Sequence, residues 1–565
     1  MGVRPVRYVC SRIMGEETQL EVAWFSLLGA HLLCSGRAGS GRTVSKEKEH
    51  MIFSKAKRAS ILISLCLGAS ACAADVESLD ALDANSQALA ASVASYMVTY
   101  KSTTVPTCAK SDVTAAGGTL VASFDKIGVV IAQSSSATFV SKLAALSTVQ
   151  SVVNTSGTAQ DALTTKFPKV RLPKPPRPAT SGEPLAAMQW DMDQIHAKEA
   201  RAITPGKSSV IVGVIDSGID DTLPDLVGQV DATRSVSCIG GIANTARSDW
   251  GHDDIGHGSH VAGIIAGKQN GVGIVGVAPG VKLAALKVTD DGYVYPEAFI
   301  CAMYWGATHG VALANASLIT DPYYYYCDGD PVQKAIKIAQ QRAITFAQSQ
   351  GLTLLAAVSN ENQDLNDPKL DPYTGKQVDS SCKLLPVELD GVIGVSAVAG
   401  DRNLAFYSNY GTDGVDLAAP GGDFHVPMTG NPSGQIVSSV PSYSYYYQAA
   451  GDWNGRVGIG CTDGLDPNDP AADPATCKET YALLQGTSQA VPHVTGIAAL
   501  AISKFGKLST ASLLSKLAAG ATDTACPAGI YKPYTSDMPP ETCTGTVANN
   551  AFYGTGQADA YATIK

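Results

Sequence analysis

Positive charge is scarce in this chain: 41 Lys and Arg stand against 51 Asp and Glu, a net charge of −10, and all four charged types together make up only 16% of its 565 residues. That balance argues against a nucleic-acid binder, because phosphate recognition needs a clustered basic surface. Other signatures are missing too. No segment after residue 73 is long and uncharged enough to cross a bilayer. No G-x-G-x-x-G precedes the first acidic strand end at Asp216, which removes a dinucleotide site, and no H-E-x-x-H occurs, which removes the helical zinc-protease pattern for His257 and His260. The G-x-S-x-G elbow of α/β-hydrolase esterases is likewise absent.

Cysteine is plentiful, at 13 residues, but from Cys238 onward none sits in a C-x-x-C metal knuckle. The set Cys238, Cys301, Cys327, Cys382, Cys461, Cys477, Cys526 and Cys543 is even in number and reads as disulfides of an exported chain. The close pairs Cys461/Cys477 and Cys526/Cys543 are expected to close local loops. Export is written at Met51, where Lys55, Lys57 and Arg58 precede an apolar run to about Ala71 and then small residues. Residues 51–73 are therefore read as a signal peptide cut after Ala71 or Ala73, with secretion to the periplasm or the medium as the consequence. Lipid attachment at Cys72 is the minority alternative, because Ala69 stands where bacterial lipoprotein signals usually carry Leu. Residues 1–50 carry no usable pattern and are read as a mis-assigned upstream extension.

Residues 94–157 alternate strand and helix signals in the order β-α-β-β-α-β, which predicts a small α+β, ferredoxin-like unit. Residues 158–183 contain KFPKVRLPKPPRP, a proline-rich cationic run expected to be an extended, protease-accessible linker. From 184 to 565 apolar strands alternate with helices, so a mainly parallel sheet with helices on both faces is expected. One long helix is expected to have Asp330 as N-cap, Pro331 in its first turn, Val332, Ala335, Ile336, Ala339, Ala343, Phe346 and Ala347 on one face, and Gly351 as its stop.

Three segments carry chemistry: VGVIDSGID ending an apolar strand at Asp216, GHGSHVAG opening a helix at His257, and GTSQAVPHVTG opening another at Ser488. A strand-end carboxylate can hold an imidazole tautomer, the imidazole can serve as general base, and a helix N-terminus offers unpaired N–H groups to a developing oxyanion. Alone, Ser488 would be read as an ordinary helix N-cap and Asp216 as a turn residue. A fourth segment, LLAAVSNEN, places Asn360 after a buried strand, where its bland reading is a turn asparagine. His252, His260 and His493 are expected to be structural or at the surface.

Together, in the order Asp, His, Ser, these segments resemble the subtilisin-like serine proteases. The resemblance implies a three-layer α/β peptidase domain at 184–565 and an inhibitory propeptide at 94–157. It implies a secreted, self-processing endopeptidase acting through an acyl-enzyme, with Asp216, His257 and Ser488 as its catalytic triad and Asn360 as oxyanion donor. Ala316, Ser317 and Leu318 match an edge segment that would pair with substrate backbone as an added strand, while Ile319 and Ser359 would fill part of a specificity pocket, with Ala357 and Val358 also expected at the substrate site. The family usually carries Gly where Ile319 and Ser359 stand, and Met where Gln489 follows the nucleophile. No cofactor is required for the chemistry. A structural Ca2+ is expected at Asp225 and Asn270, although a further N-terminal ligand found in many members has no evident counterpart. Partners are protein or peptide substrates and the chain's own propeptide, with a monomer as default. The rival classes are a binding protein that keeps the fold and an esterase using the same triad. The tyrosine runs Tyr323 to Tyr326 and Tyr445 to Tyr447 could line subsites or cover surface.

Overall fold

A computed structural model describes residues 93–155, 182–449, 456–459, 479–531 and 540–565. The expected upstream extension, signal peptide, Cys72, nearly all of the linker and the Cys461/Cys477 pair lie outside the described residues.

The first unit follows its sequence pattern closely: β1 (Ala94–Tyr100), α1 (Ala109–Ala116), β2 (Gly118–Phe124), β3 (Val129–Ser134), α2 (Phe139–Ala144) and β4 (Val149–Asn154). Its four strands are antiparallel in the order β2-β3-β1-β4. Because neighbouring strand residues point to opposite faces, the runs in β1 and β3 give this sheet two apolar sides. Val98, Val130 and Ala132 pack with Val113 of α1 and Phe139 and Leu143 of α2. Met97, Val129, Ile131 and Val153 face the other way, into a core shared with the domain that follows.

That domain is built on β5 (Ile211–Asp216), β6 (Val236–Ser237), α3 (His257–Ala266), β7 (Lys282–Lys287), α4 (Pro296–Thr308), β8 (Leu313–Ala316), β9 (Tyr325–Cys327), α5 (Pro331–Gln350), β10 (Thr353–Ala357), β11 (Cys382–Leu384), β12 (Ile393–Val398), β13 (Leu417–Pro420) and α6 (Thr487–Phe505). Seven strands form one sheet in the order β13-β12-β10-β8-β5-β7-β6, and every pairing in it is parallel. Continuous apolar runs suit such strands, which are covered on both sides. In β5, Val212 and Val214 pack with α3 and α6, whereas Ile211 and Ile215 pack with α4 and α5. The three-layer expectation holds.

α5 shows how local chemistry sets an element. Asp330 caps it by accepting from the N–H groups of Val332 and Gln333, Pro331 starts it, and Gly351 ends it in the left-handed region at φ 89°. One expected core residue is wrong: Val332 is exposed, because it lies in the first turn, beyond the stretch that packs. Among the described residues three disulfides join Cys238 to Cys301, Cys327 to Cys382 and Cys526 to Cys543. The last is the expected local pair; the first two close loops of 63 and 55 residues, and Cys327–Cys382 ties β9 to its antiparallel partner β11. Among the described residues no single helix is long and apolar enough to cross a membrane.

Candidate active site

β5 delivers Asp216 at its C-terminal end, buried, with its carboxylate accepting from the Ser217 N–H at 2.8 Å. His257 opens α3 beside it. Gly258 lets α3 start this close: a Cβ there would lie 2.0 Å from the Gly218 carbonyl oxygen in the loop after β5. The His257 Nδ1 is 2.9 Å from both Asp216 carboxylate oxygens, so it donates to the carboxylate and leaves Nε2 free to act as base. Burial pulls the imidazole's pKa down, but the Asp216 charge and hydrogen bond outweigh it, and the ring titrates above its ordinary value.

Asp253 braces this pair, and motif reading passed over it. Fully buried, it accepts from the Ser217 hydroxyl (2.7 Å), the Gly256 N–H (2.8 Å) and the Ser259 N–H (2.8 Å), while Ser217 in turn accepts from the Gly258 N–H (3.0 Å). The turn carrying His257 is thus pinned to the strand carrying Asp216. An acid four residues before a Gly-flanked His was the available signal. From the other side, Tyr445 and Tyr446 donate their N–H groups to the Asp254 and Ile255 carbonyls, and the Tyr446 ring lies 5.9 Å from the His257 ring.

Ser488 is the second residue of α6, which packs on α3, so the helices opening on base and alcohol are neighbours. Its hydroxyl donates to the Ser317 carbonyl at 3.1 Å, and the Ser317 hydroxyl donates to the Ser488 carbonyl at 2.8 Å. The serine is thus turned toward Ser317 rather than His257; catalytic hydrogen bonds in unliganded enzymes are often not formed until substrate binds. Gly486 precedes α6 at φ 153°, and a Cβ there would lie 3.5 Å from Asn360 Oδ1 and 3.6 Å from the Ser488 nitrogen. Asn360 accepts from the Thr487 N–H at 2.8 Å. That bond fixes which side of the amide is oxygen and leaves the exposed NH2 beside the helix N-terminus.

The expected subsite residues gather at the same end of the sheet. Ser317, Leu318 and Ile319 continue β8 beyond its last ladder pair, and Leu318 and Ile319 make no backbone hydrogen bond among the described residues. Ala357 ends β10, Val358 and Ser359 follow it, and all three are buried. Ser359 adopts φ 75°, a left-handed conformation that explains why Gly is usual there. Behind it, Glu361 accepts from the Asn360 N–H at 2.8 Å and the Tyr324 hydroxyl at 2.6 Å. Tyr324, Tyr325 and Tyr326 are buried beneath the asparagine segment rather than covering surface, while Tyr323 is half-buried.

The three other histidines singled out in the sequence have structural partners. His260 is buried against the Ile436 and Ala482 carbonyls, and burial drops its pKa to about 3. His493 is clamped between the Gln489 carbonyl and Asp191, and His252 pairs with Asp254 at the surface. Among the described residues, no three His, Cys, Asp or Glu side chains gather closely enough to hold a metal. Of the two expected calcium ligands, Asp225, in the segment after β5, accepts from the Ile274 N–H in the loop after α3, and Asn270, in that loop, accepts through Oδ1 from the Val272 N–H. Sequence reading missed Glu183. One of its oxygens accepts from the Gly271 N–H at 3.0 Å in the same loop, and the other is buried without a hydrogen-bond partner.

The profile of the Subtilase family (Peptidase_S8) matches residues 207–555. Fervidolysin of Fervidobacterium pennivorans is 30% identical over 334 residues, covering 57% of this chain and 39% of its own length. Subtilisin DY of Bacillus licheniformis is 28% identical over 317 residues, 56% of this chain and 85% of that one. Among solved structures, the epidermin leader peptide processing serine protease of Staphylococcus aureus superposes with a TM-score of 0.59 at 19% identity, covering 84% of this chain and 98% of that chain. This likeness concerns fold alone.

Proposed function

The chain belongs to the subtilase family of serine peptidases, which are hydrolases, and from that premise we propose that it is an exported, self-processing endopeptidase working through Asp216, His257 and Ser488. The observation that carries this reading is the pairing of His257 with the buried Asp216 beside the helix that opens at Ser488, next to Asn360. Rotation of the Ser488 hydroxyl from the Ser317 carbonyl toward His257 Nε2 starts the reaction. The imidazole takes the proton as Ser488 Oγ attacks the scissile carbonyl, and Asp216 stabilises the imidazolium without accepting the proton itself. The oxyanion is held by the Ser488 N–H and the Asn360 NH2. The imidazolium then protonates the leaving amine, and water repeats the sequence on the acyl-enzyme.

Substrate backbone pairs with the segment at Ser317 to Ile319 in an added-strand mode, and the buried stretch Ala357 to Ser359 forms a wall of the specificity pocket. Residues 94–157 act as the propeptide, 158–183 as the segment cut at maturation, and 184–565 as the peptidase. Three disulfides favour an oxidising compartment. No cofactor takes part in the chemistry. A bound Ca2+ would tie the loop at 270–274 to the body of the domain, and the hard oxygen donors of Glu183, Asp225 and Asn270 suit it. The enzyme works as a monomer on protein or peptide substrates.

Reaction of the matured protein with a serine-reactive phosphonate tests the reading. Labelling of Ser488, with a loss of turnover on the order of 10^6-fold in Ser488→Ala, the size known for subtilisin itself, is expected. An unlabelled protein would point to the binding-protein class. Labelling with ester but no peptide cleavage would point to an esterase.

A further inference from the structure

Glu297 is a buried carboxylate that the mechanism does not use. It occupies the second position of α4, on the face that receives the 94–155 unit, and is almost wholly hidden. One oxygen accepts from the Thr155 hydroxyl, just past β4, at 2.9 Å; the other is buried without a hydrogen-bond partner. Around it lie Ile131 of β3 and Gly241 in the turn that follows Cys238. Neither Thr155, Ile131 nor the turn brings a charge. The titratable neighbour is Tyr295 at the N-cap of α4, and Asp291 and Asp321 lie beyond it. Arg342 of α5, a cation of this interface, is committed elsewhere: it donates to the Tyr100 and Ile127 carbonyls and to Gln150, and Lys126 lies against Tyr304, further along α4.

We propose that Glu297 is a proton-operated latch, neutral while the 94–155 unit is docked and ionised when it leaves, so that rising pH releases the propeptide from the peptidase. This rests on the reading of residues 94–157 as an inhibitory propeptide. Burial holds the docked carboxyl up at about 7, despite the help its charged form gets from its own N–H and from Thr155. Undocking returns it to water at a helix N-terminus, where the charged form is favoured and the pKa falls to the ordinary carboxylate range or below. The docked state therefore binds one more proton. Its advantage is complete below the undocked pKa and is lost as pH climbs through the docked one. With a tenfold change per unit, release is favoured on the order of a hundredfold more at pH 8 than at pH 5.

The test starts from the full chain carrying Ser488→Ala, so that it cannot cut itself, with a recognition site for an unrelated protease placed in the linker. After cutting, the fraction of propeptide fragment that stays with the peptidase is measured by size exclusion from pH 5 to pH 8.5. Dissociation should strengthen about a hundredfold with pH, and Glu297→Gln should stay docked at every pH, with its slope abolished. Glu297→Met, neutral and of similar volume, should behave the same way and serves if the amide variant folds poorly. A flat profile in the parent, or an unchanged slope in the neutral variants, overturns the latch alone. A fragment that is docked at no pH overturns the latch and the inhibitory reading together.

Discussion

The two sheets of this molecule solve burial differently. Every residue of β5 is buried between helices of the same domain, whereas the four-stranded sheet has its own two helices on one side only. Its other apolar side, with Met97, Val129, Ile131 and Val153, finds cover against α4 and α5. Each such side chain contributes roughly 1.5–3 kcal/mol when fully buried. The peptidase domain is therefore self-sufficient in its core, while the small unit completes its own only by docking. A segment of this kind is ordered by what it binds and would give up cover if released, which supports the proposed role of a removable inhibitor.

The sharpest way to separate the two regions is to damage chemistry without touching docking. Asn360→Ala removes one oxyanion donor, and in subtilisin such a loss costs about 2.7–4 kcal/mol, or 10^2- to 10^3-fold in kcat. Here kcat should fall by that order with KM little changed, and the linker-cut propeptide should stay docked as before. A loosened propeptide in this variant would mean that the site and the docking face are not independent.

Next in size is a paired comparison on one strand. Ile131 and Val130 are neighbours in β3 with side chains on opposite faces. Ile131→Ala should weaken docking by about 2–4 kcal/mol, read as dissociation of the cut fragment, because it empties part of the shared core. Val130→Ala should instead lower the thermal stability of the small unit, by about 1–2 kcal/mol for its two lost methyl groups. Equal effects of both on docking would erase the distinction between the faces.

What could be read in advance follows the range of the interaction that sets it. The cap of α5 at Asp330, its stop at Gly351 and the six elements of the small unit were legible because propensity and period act over a few residues. The segments that bring Asp216, His257 and Ser488 to one end of the sheet stood out because their flanking glycines are also local, whereas Asn360 stood out by resemblance alone. Contacts across long separations were not. Nothing in the spacing of Cys238 and Cys301, 63 residues apart, fixes their pairing. Nothing near Thr155 announces Glu297, 142 residues on. The burial of Tyr324 under Asn360 and the bracing of His257 by Asp253 likewise depend on which chains meet after folding.

The smallest effect concerns the residue after the nucleophile. Gln489 is buried, yet its Nε2 has no hydrogen-bond partner. Replacing an unsatisfied buried amide by an apolar side chain of similar volume removes a cost rather than a contact, so Gln489→Met should fold with stability within about 1 kcal/mol of the parent. Its thioether is nevertheless oxidisable to a polar sulfoxide, which the amide is not. Peroxide should therefore inactivate the variant while sparing the parent, and it should do so without releasing the docked propeptide, since Gln489 lies in α6 and the docking face is formed by α4 and α5. Equal rates of inactivation would show that the sensitive group lies elsewhere. Release of the propeptide on oxidation would show that damage at the nucleophile reaches the far side of the sheet.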